Sequence, residues 1–196
     1  MKNILAIYGS PRREGNTKIL LDHAVQGALD AGALVEKIVL RDLKMSPCLE
    51  IYGCKKNGRC VIRDDFEGVY DQLLACQGVI LASPVFFGGV TAQVKILMDR
   101  CQSLWVKKYW IDKVRYGEWE PKRKGVFISV GATKGKNLFD GALCSVKYFF
   151  DVLDMELWKT LLYRGLDSEG VVSKHEEYLA EAYGAGRDLA TALSGS

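Results

Sequence analysis

Five short segments of this 196-residue chain are rich in apolar and β-branched residues, and stretches with helical periodicity separate them. The segments are 3–8, 34–39, 79–83, 125–130 and 156–163. The first, third and fourth are apolar at nearly every position, as strands covered on both faces should be. In 16–31, Leu21, Val25, Ala28 and Leu29 repeat at helical spacing, with Asn16 as the expected N-cap. In 91–104, Val94, Leu97, Met98 and Cys101 do the same. Near the end Ser173 and Glu176 have capping-box spacing, and Leu179, Ala182, Gly186, Leu189 and Leu193 form one stripe behind them. Strands that alternate with helices predict an α/β fold with a parallel sheet.

The length suits one domain spanning 1–196, and no repeat or low-complexity linker divides it. Hydrophobic residues make up 48% and charged residues 26%, which is ordinary for a globular chain. A net charge of +3 is too small to argue for nucleic acid or a membrane surface. The apolar runs fall well short of the roughly 20 residues that span a bilayer. The start, Met1-Lys2-Asn3, leads straight into a strand pattern without a leader's apolar region, so a cytoplasmic location with reduced thiols is expected.

Two glycine-containing turns follow apolar segments. Gly9-Ser10-Pro11-Arg12-Arg13-Glu14-Gly15-Asn16-Thr17 runs from a strand into a helix. Backbone N–H groups and the dipole at such a helix start favour an anion. Ser10, Asn16 and Thr17 add side-chain donors, and Arg12 a planar fork suited to phosphate. The spacing matches neither a P-loop nor a dinucleotide fingerprint. The second turn, Ser83-Pro84-Val85-Phe86-Phe87-Gly88-Gly89, has the makings of an apolar ledge that a flat ring can approach. A phosphate cradle and a ring ledge at strand ends of one sheet suggest a flavin mononucleotide site.

These motifs, with Val90-Thr91 and then Lys95 and Met98-Asp99-Arg100, make residues 1 to about 104 resemble the NADPH-dependent FMN reductase and iron–sulfur flavoprotein group. The resemblance continues more loosely to the end. It implies a flavodoxin-like three-layer, doubly wound sheet of five parallel strands in the order 2-1-3-4-5, with helices on both faces. It places the FMN phosphate on Ser10, Arg12, Asn16 and Thr17. Pro84, Val85, Phe86, Phe87 and Gly88 would line the isoalloxazine ring, and backbone N–H groups around Phe86–Gly89 would meet its polar edge. Gly131, Thr133 and Lys134 would approach the pyrimidine edge.

The iron–sulfur branch carries a compact C-x2-C-x2-C-x5-C run. Here Cys48, Cys54 and Cys60 take its first, third and fourth places, and Ile51, which cannot ligate iron, takes the second. Four thiolates normally hold a [4Fe–4S] cluster, so no stable cluster is expected and no metal ligand is assigned. A three-iron cluster, Glu50 as a substitute ligand, or zinc are the alternatives. Cys76, Cys101 and Cys144 lie on helical patterns and are expected to be buried free thiols.

The segment 105–124 interleaves aromatic residues (Trp105, Tyr109, Trp110, Tyr116, Trp119) with basic ones (Lys107, Lys108, Lys113, Arg115, Lys122, Arg123, Lys124) and the acids Asp112, Glu118 and Glu120. Three readings stand: a subunit interface, a wall of the flavin pocket that attracts NADPH phosphates, or a surface loop with its own small core. No nucleic-acid module surrounds it. Neither His23 nor His175 sits in a motif, and Lys95, Asp99 and Arg100 read as helix charge pairing, so no catalytic acid, base or nucleophile is assigned.

The resemblance implies an FMN-dependent oxidoreductase that takes electrons from a reduced nicotinamide, NAD(P)H, and passes them to a quinone, flavin or other acceptor. It would be a homodimer or homotetramer, with the insert and the last helix's stripe as surfaces to bury. An electron carrier like flavodoxin, and a flavin-binding interaction protein, are the alternatives.

Overall fold

The computed structural model describes residues 3–115 and 123–193. Tyr116, Glu118, Trp119, Glu120 and Lys122 of the insert lie outside the described residues. Five strands form one parallel sheet: β1 (Asn3–Tyr8), β2 (Leu34–Val39), β3 (Gly78–Ala82), β4 (Arg123–Gly131) and β5 (Met155–Arg164), in the order β2-β1-β3-β4-β5. The observed strands differ from the expected segments by one or two residues at some ends. β1, β3 and most of β4 are buried along their length, in keeping with apolar runs that face helices on both sides.

The helices are α1 (Asn16–Asp30), α2 (Phe66–Ala75), α3 (Ala92–Arg100), the short α4 (Gln102–Trp105), α5 (Asp140–Val152) and α6 (Glu176–Ala192). The pleat sorts the strand side chains. Ile4, Ala6, Ile80, Ala82, Val126 and Ile128 face α1 and α6. Leu5, Ile7, Val79, Leu81 and Phe127 face α2, α3 and α5. The three layers follow from this period-two alternation.

Three expected helix features differ in detail. Gly15, not Asn16, is the N-cap of α1, and Asn16 opens the helix with its amide turned elsewhere. Ser173 does not cap α6: a 3-10 turn, Val171–Lys174, intervenes after Gly170 at φ +71°, and His175 precedes the helix. The expected helix over 91–104 is broken at Cys101. There α3 gives way to α4 and then to a π-helical segment, Val106–Ile111.

The α6 stripe lies inside the chain and offers no subunit surface. Ala182, Ala185, Gly186 and Leu189 are buried against α1 and the sheet. The two helices cross so closely that a Cβ on Gly186 would come within 1.8 Å of the Ala24 carbonyl oxygen. A Cβ on Gly27 would come within 2.0 Å of the Tyr183 carbonyl. Contact between backbones leaves no flexible side chain to give way. Gly186→Ala is therefore expected to destabilise the fold by about 2 kcal/mol despite alanine's better helix propensity, read as a lower urea midpoint.

Candidate functional site

In a sheet of this order the chain leaves β1 toward β2, then returns to place β3 on the other side of β1. The connections diverge at the carboxyl ends of β1 and β3, which opens a crevice there. A cleft of about 110 Å³ lies in this crevice. Ser10, Arg12, Asn16 and Thr17 form one wall, Pro84, Val85 and Phe86 a second, and Gly131 and Ala132 a third.

Each wall is fixed by a specific bond. The Gly9 N–H donates to the Ala82 carbonyl (2.8 Å), and the Thr91 hydroxyl donates to the Gly9 carbonyl (2.6 Å). Thr91 also caps α3 by accepting from the Val94 N–H. Gly9 has no room for a side chain: a Cβ would meet Val94 at 2.3 Å and the Ala82 oxygen at 2.6 Å. The Val85 N–H donates to the Val130 carbonyl (2.9 Å), which ties the second wall to the third.

The first wall has the chemistry of an anion cradle. The Ser10 hydroxyl accepts from the Arg12 N–H (3.1 Å) and keeps its own proton for another acceptor. Thr17 is 1% exposed and lines the cleft, yet its hydroxyl has no partner among the described residues. A Cβ on Gly15 would crowd the Ser10 hydroxyl at 3.0 Å. The first N–H groups of α1 have no intrahelical acceptor. These residues fit a phosphate monoester. Asn16 is engaged elsewhere. Its amide donates to the carbonyls of Leu166 and Ser168 and accepts from the Val172 N–H, so its side-chain donors are taken. Only its backbone N–H is left to meet an anion. Arg12 reaches the Asp167 carbonyl at 3.4 Å and is otherwise exposed.

The loop after β5 is a wall that sequence reasoning missed. Leu166 and Asp167 line the cleft. The Gly165 N–H donates to the Thr133 carbonyl and the Leu166 N–H to the Gly131 carbonyl. The available signal was Gly165, at φ +75° directly after the last strand. Thr133 and Lys134 lie behind this junction, with Lys134 against Gly165, and are not among the cleft-lining residues.

The ring ledge ends in a tight turn. The Phe86 and Gly89 N–H groups donate to each other's carbonyls at 2.9 Å, so these two donors are spent within the turn. Phe87 (φ +49°) and Gly88 (φ +74°) are both left-handed, the geometry of a type I′ turn. Gly88 is held against the start of α5, where a Cβ on Gly141 would meet its carbonyl at 2.5 Å. Pro84, Val85 and Phe86 line the cleft, whereas Phe87 projects away from the chain at 113% exposure.

The cysteine loop is held by charge. Arg100 on α3 is buried, donates to the carbonyls of Ser46 and Ile62, and pairs with Asp64 at 2.6 Å. Its Nε is buried without a partner, and the Cys60 thiol lies beside the same guanidinium. Burial pushes the Asp64 carboxyl up, but Arg100 and the N–H groups of Ser46 and Phe66 outweigh it and leave its pKa below the ordinary value. Burial raises the Cys54 thiol, against the thiolate form that metals need. Ile51 is exposed, and no group of three or more His, Cys, Asp or Glu side chains is gathered for a metal among the described residues. The loop as folded does not fit a four-thiolate cluster.

Other residues also fall into place. Lys95 pairs with Asp99. In the insert, Trp105 packs on Tyr109 and Trp110, and Lys108 is buried against Asp151 and Asp154. Gly58 of the cysteine loop lies against Lys107. No described insert residue lines the cleft, and the insert packs on the cysteine loop through Lys107 at Gly58 and Trp110 under Lys55. Cys76 and Cys101 are buried as expected, and burial pushes the Cys76 thiol up to about 11. Cys144 is exposed, because it sits on the outer face of α5. No helix among the described residues is long and apolar enough to cross a membrane.

The sequence profile of NADPH-dependent FMN reductases matches residues 2–143. An iron-sulfur flavoprotein of Methanocaldococcus jannaschii is 37% identical over 131 residues, covering 67% of this chain and 63% of that protein. A second from that organism is 35% identical over 155 residues, covering 78% and 72%. One from Archaeoglobus fulgidus is 38% identical over 106 residues, or 54% of each chain. The chain thus matches less than two thirds of the length of two of these relatives. An NAD(P)H:quinone oxidoreductase from Methanothermobacter marburgensis superposes with a TM-score of 0.69 at 16% identity, covering 96% of each chain. A flavone reductase gives 0.68 at 21% identity, covering 98% of this chain and 63% of that one. These structures share the fold.

Two outcomes are expected. Asparagine tolerates the left-handed conformation that phenylalanine resists, so Phe87→Asn should raise thermal stability by about 1 kcal/mol. Asp64→Asn should cost about 3 kcal/mol in urea unfolding by leaving the buried Arg100 charge unpaired. Because the folded pKa of Asp64 is depressed, the native pair's contribution is complete above the unfolded carboxyl pKa of about 4. It is lost as pH falls through the lower folded value, so the gap between the two proteins should close in acid.

Proposed function

The chain belongs to the NADPH-dependent FMN reductase family, and on that footing we propose that it is an FMN-dependent oxidoreductase fed by a reduced nicotinamide. The observation that carries this reading is the single cleft where a helix start, the unpartnered Thr17 hydroxyl and the Pro84–Phe86 ledge converge. When bound, FMN supplies the two-electron exchange. The protein's part is placement. Ser10, Thr17 and the first N–H groups of α1 hold the phosphate, and Arg12, exposed at the rim, closes over it. Pro84, Val85 and Phe86 give the ring an apolar wall. The N–H groups of Phe87 and Gly88, left over by the turn, remain as donors to its polar edge. The Gly131–Ala132 backbone approaches from the β4 side. No side chain in the cleft is assigned as acid or base, so proton exchange with the acceptor is left to solvent. The acceptor is proposed to be a quinone, flavin or similar small molecule, in the cytoplasm.

Self-association is proposed through the insert and α5, where Trp110, Ile111 and Tyr148 are exposed, since α6 is already covered. Light scattering should report a dimer or tetramer, and Tyr148→Glu should dissociate it. A wild-type monomer across a wide concentration range would refute this.

Arg12→Ala should weaken FMN binding by about 1.5–3 kcal/mol, the worth of a hydrogen bond to a charged group, measured by fluorescence titration. NADPH or NADH mixed with the FMN-loaded protein should rapidly bleach the oxidised flavin absorbance. Failure with both donors, with reduction by a protein partner, would make the chain an electron carrier instead.

A further inference from the structure

A second cavity, about 440 Å³, opens on the far side of the phosphate loop. It begins at Gly9, Ser10, Arg12 and Thr17, residues at or beside the cleft, and runs along the groove between α1 and the edge strand β2. Its volume falls within the roughly 300–1,000 Å³ of small-molecule sites. Two kinds of surface line it. Val25 and Leu29 of α1 and Val39 of β2 form an apolar strip, and Leu29 is 44% exposed although it belongs to the helix's apolar pattern. Around this strip stand Arg12, Lys18, Lys37 and Arg41, against Asp22 as the one carboxylate in the lining.

The charges are arranged, not scattered. Asp22 accepts from the Tyr8 hydroxyl (2.7 Å) and pairs with Lys18 (2.9 Å) and, more loosely, Lys37 (3.8 Å). Lys18 also pairs with Glu14 (3.4 Å) outside the lining, so the four lining cations, Arg12, Lys18, Lys37 and Arg41, meet the three carboxylates of Glu14, Asp22 and Asp42. Arg41 lies close by, paired with Asp42 outside the lining. At the other end Gln26 donates to Asp30, and its carbonyl oxygen has no donor among the described residues. A ligand in this space meets an apolar strip at Val25, Leu29 and Val39, the amide oxygen of Gln26 as an acceptor, and cations suited to phosphate.

We propose that this groove binds an adenylate, a phosphorylated purine nucleoside, beside the flavin phosphate. Two sources share that chemistry. One is the adenosine end of the nicotinamide donor, and the other is the adenylate half of a flavin dinucleotide whose flavin phosphate occupies the loop. The first source rests on the donor reading above, and the second on the flavin site alone.

Calorimetry separates them. FMN-loaded protein is titrated with 2′,5′-ADP, with 5′-AMP and with inorganic phosphate. Separately, protein stripped of flavin is titrated with FMN and with FAD. Lys37→Glu and Leu29→Glu alter the groove at exposed positions outside the flavin cleft. If the donor's adenosine is the ligand, 2′,5′-ADP should bind FMN-loaded protein more tightly than phosphate, and each variant should weaken it about tenfold, as loss of a charged or apolar contact would. If the dinucleotide is the ligand, FAD should bind more tightly than FMN, and the variants should remove that advantage while FMN affinity stays within twofold. The proposal is overturned if neither the adenylates nor FAD exceed phosphate and FMN respectively. It is equally overturned if the variants leave every titration unchanged. Absence of FMN binding itself would instead sink the flavin reading; the same adenylates titrated into flavin-free protein then score the groove, and no advantage over phosphate there overturns the proposal.

Discussion

The site depends on one junction, the locked backbone of Gly9. Its N–H is bound by β3 and its carbonyl by the hydroxyl of Thr91 at the start of α3. Val94 and the Ala82 carbonyl occupy the space a side chain would need. This joins the end of β1, the end of β3 and the N-terminus of α3 within one hydrogen-bonded knot. Each loop that leaves the knot is aimed by it: the phosphate loop forward from Gly9, the ring ledge between Ser83 and Thr91. A crevice at a switch point follows from strand order alone, but its width at this position follows from glycine. Any side chain there would push the strand ends apart and separate the cradle from the ledge.

What remains for a ligand is defined by what the loops consume. The turn at Phe86–Gly89 uses two of its four N–H groups on itself, and Asn16 spends its amide on the loop after β5. Thr17 stays unpartnered although almost wholly buried. The buried side-chain polar atoms left without a partner among the described residues are Asn3 Oδ1 and Arg100 Nε, so the Thr17 hydroxyl is open to the cleft, where solvent or a ligand can meet it. Phe87 makes the complementary point. A left-handed phenylalanine that touches nothing costs stability and returns none within the chain, and such strain concentrates at working surfaces.

The architecture was legible because it rests on period and composition. Continuous apolar runs mark two-sided strands wherever a sheet is covered on both faces, while the order 2-1-3-4-5 was what the family resemblance implied. The phosphate loop and the ring ledge were legible for the same reason, since each begins where such a run ends, and the loop after β4 was implied by the resemblance. What escaped was long-range. Nothing local in Asn16 says that its amide will cross to residues 166–172, and a good N-cap residue reads as an N-cap. Ser173 has the right spacing for a capping box, but Gly170 turns the chain so that the helix begins later. The stripe on α6 was read correctly as apolar; that α1 would cover it depended on Gly27 and Gly186 letting the helices meet. Periodicity reports that a face is buried and is silent on what buries it.

The cysteine loop is framed by groups other than its thiols. Its path is set by groups that are not thiols: Arg100 with Asp64, the Lys44 N–H on Asp65, the Tyr70 hydroxyl on the Gly58 carbonyl, and Arg59 with Asp71. Four anchors around the loop carry its conformation, and the insert packs against Gly58 from outside. Where a cluster supplies the cross-link, losing a thiolate should loosen the loop. Here the buried guanidinium holds the loop instead, since leaving a buried charge unpaired costs more than the loop gains by opening. With these anchors the loop keeps its path with Ile51, and not a thiol, at that position. Burial holds the Cys54 thiol toward its neutral form, and the Cys60 thiol lies beside the Arg100 guanidinium.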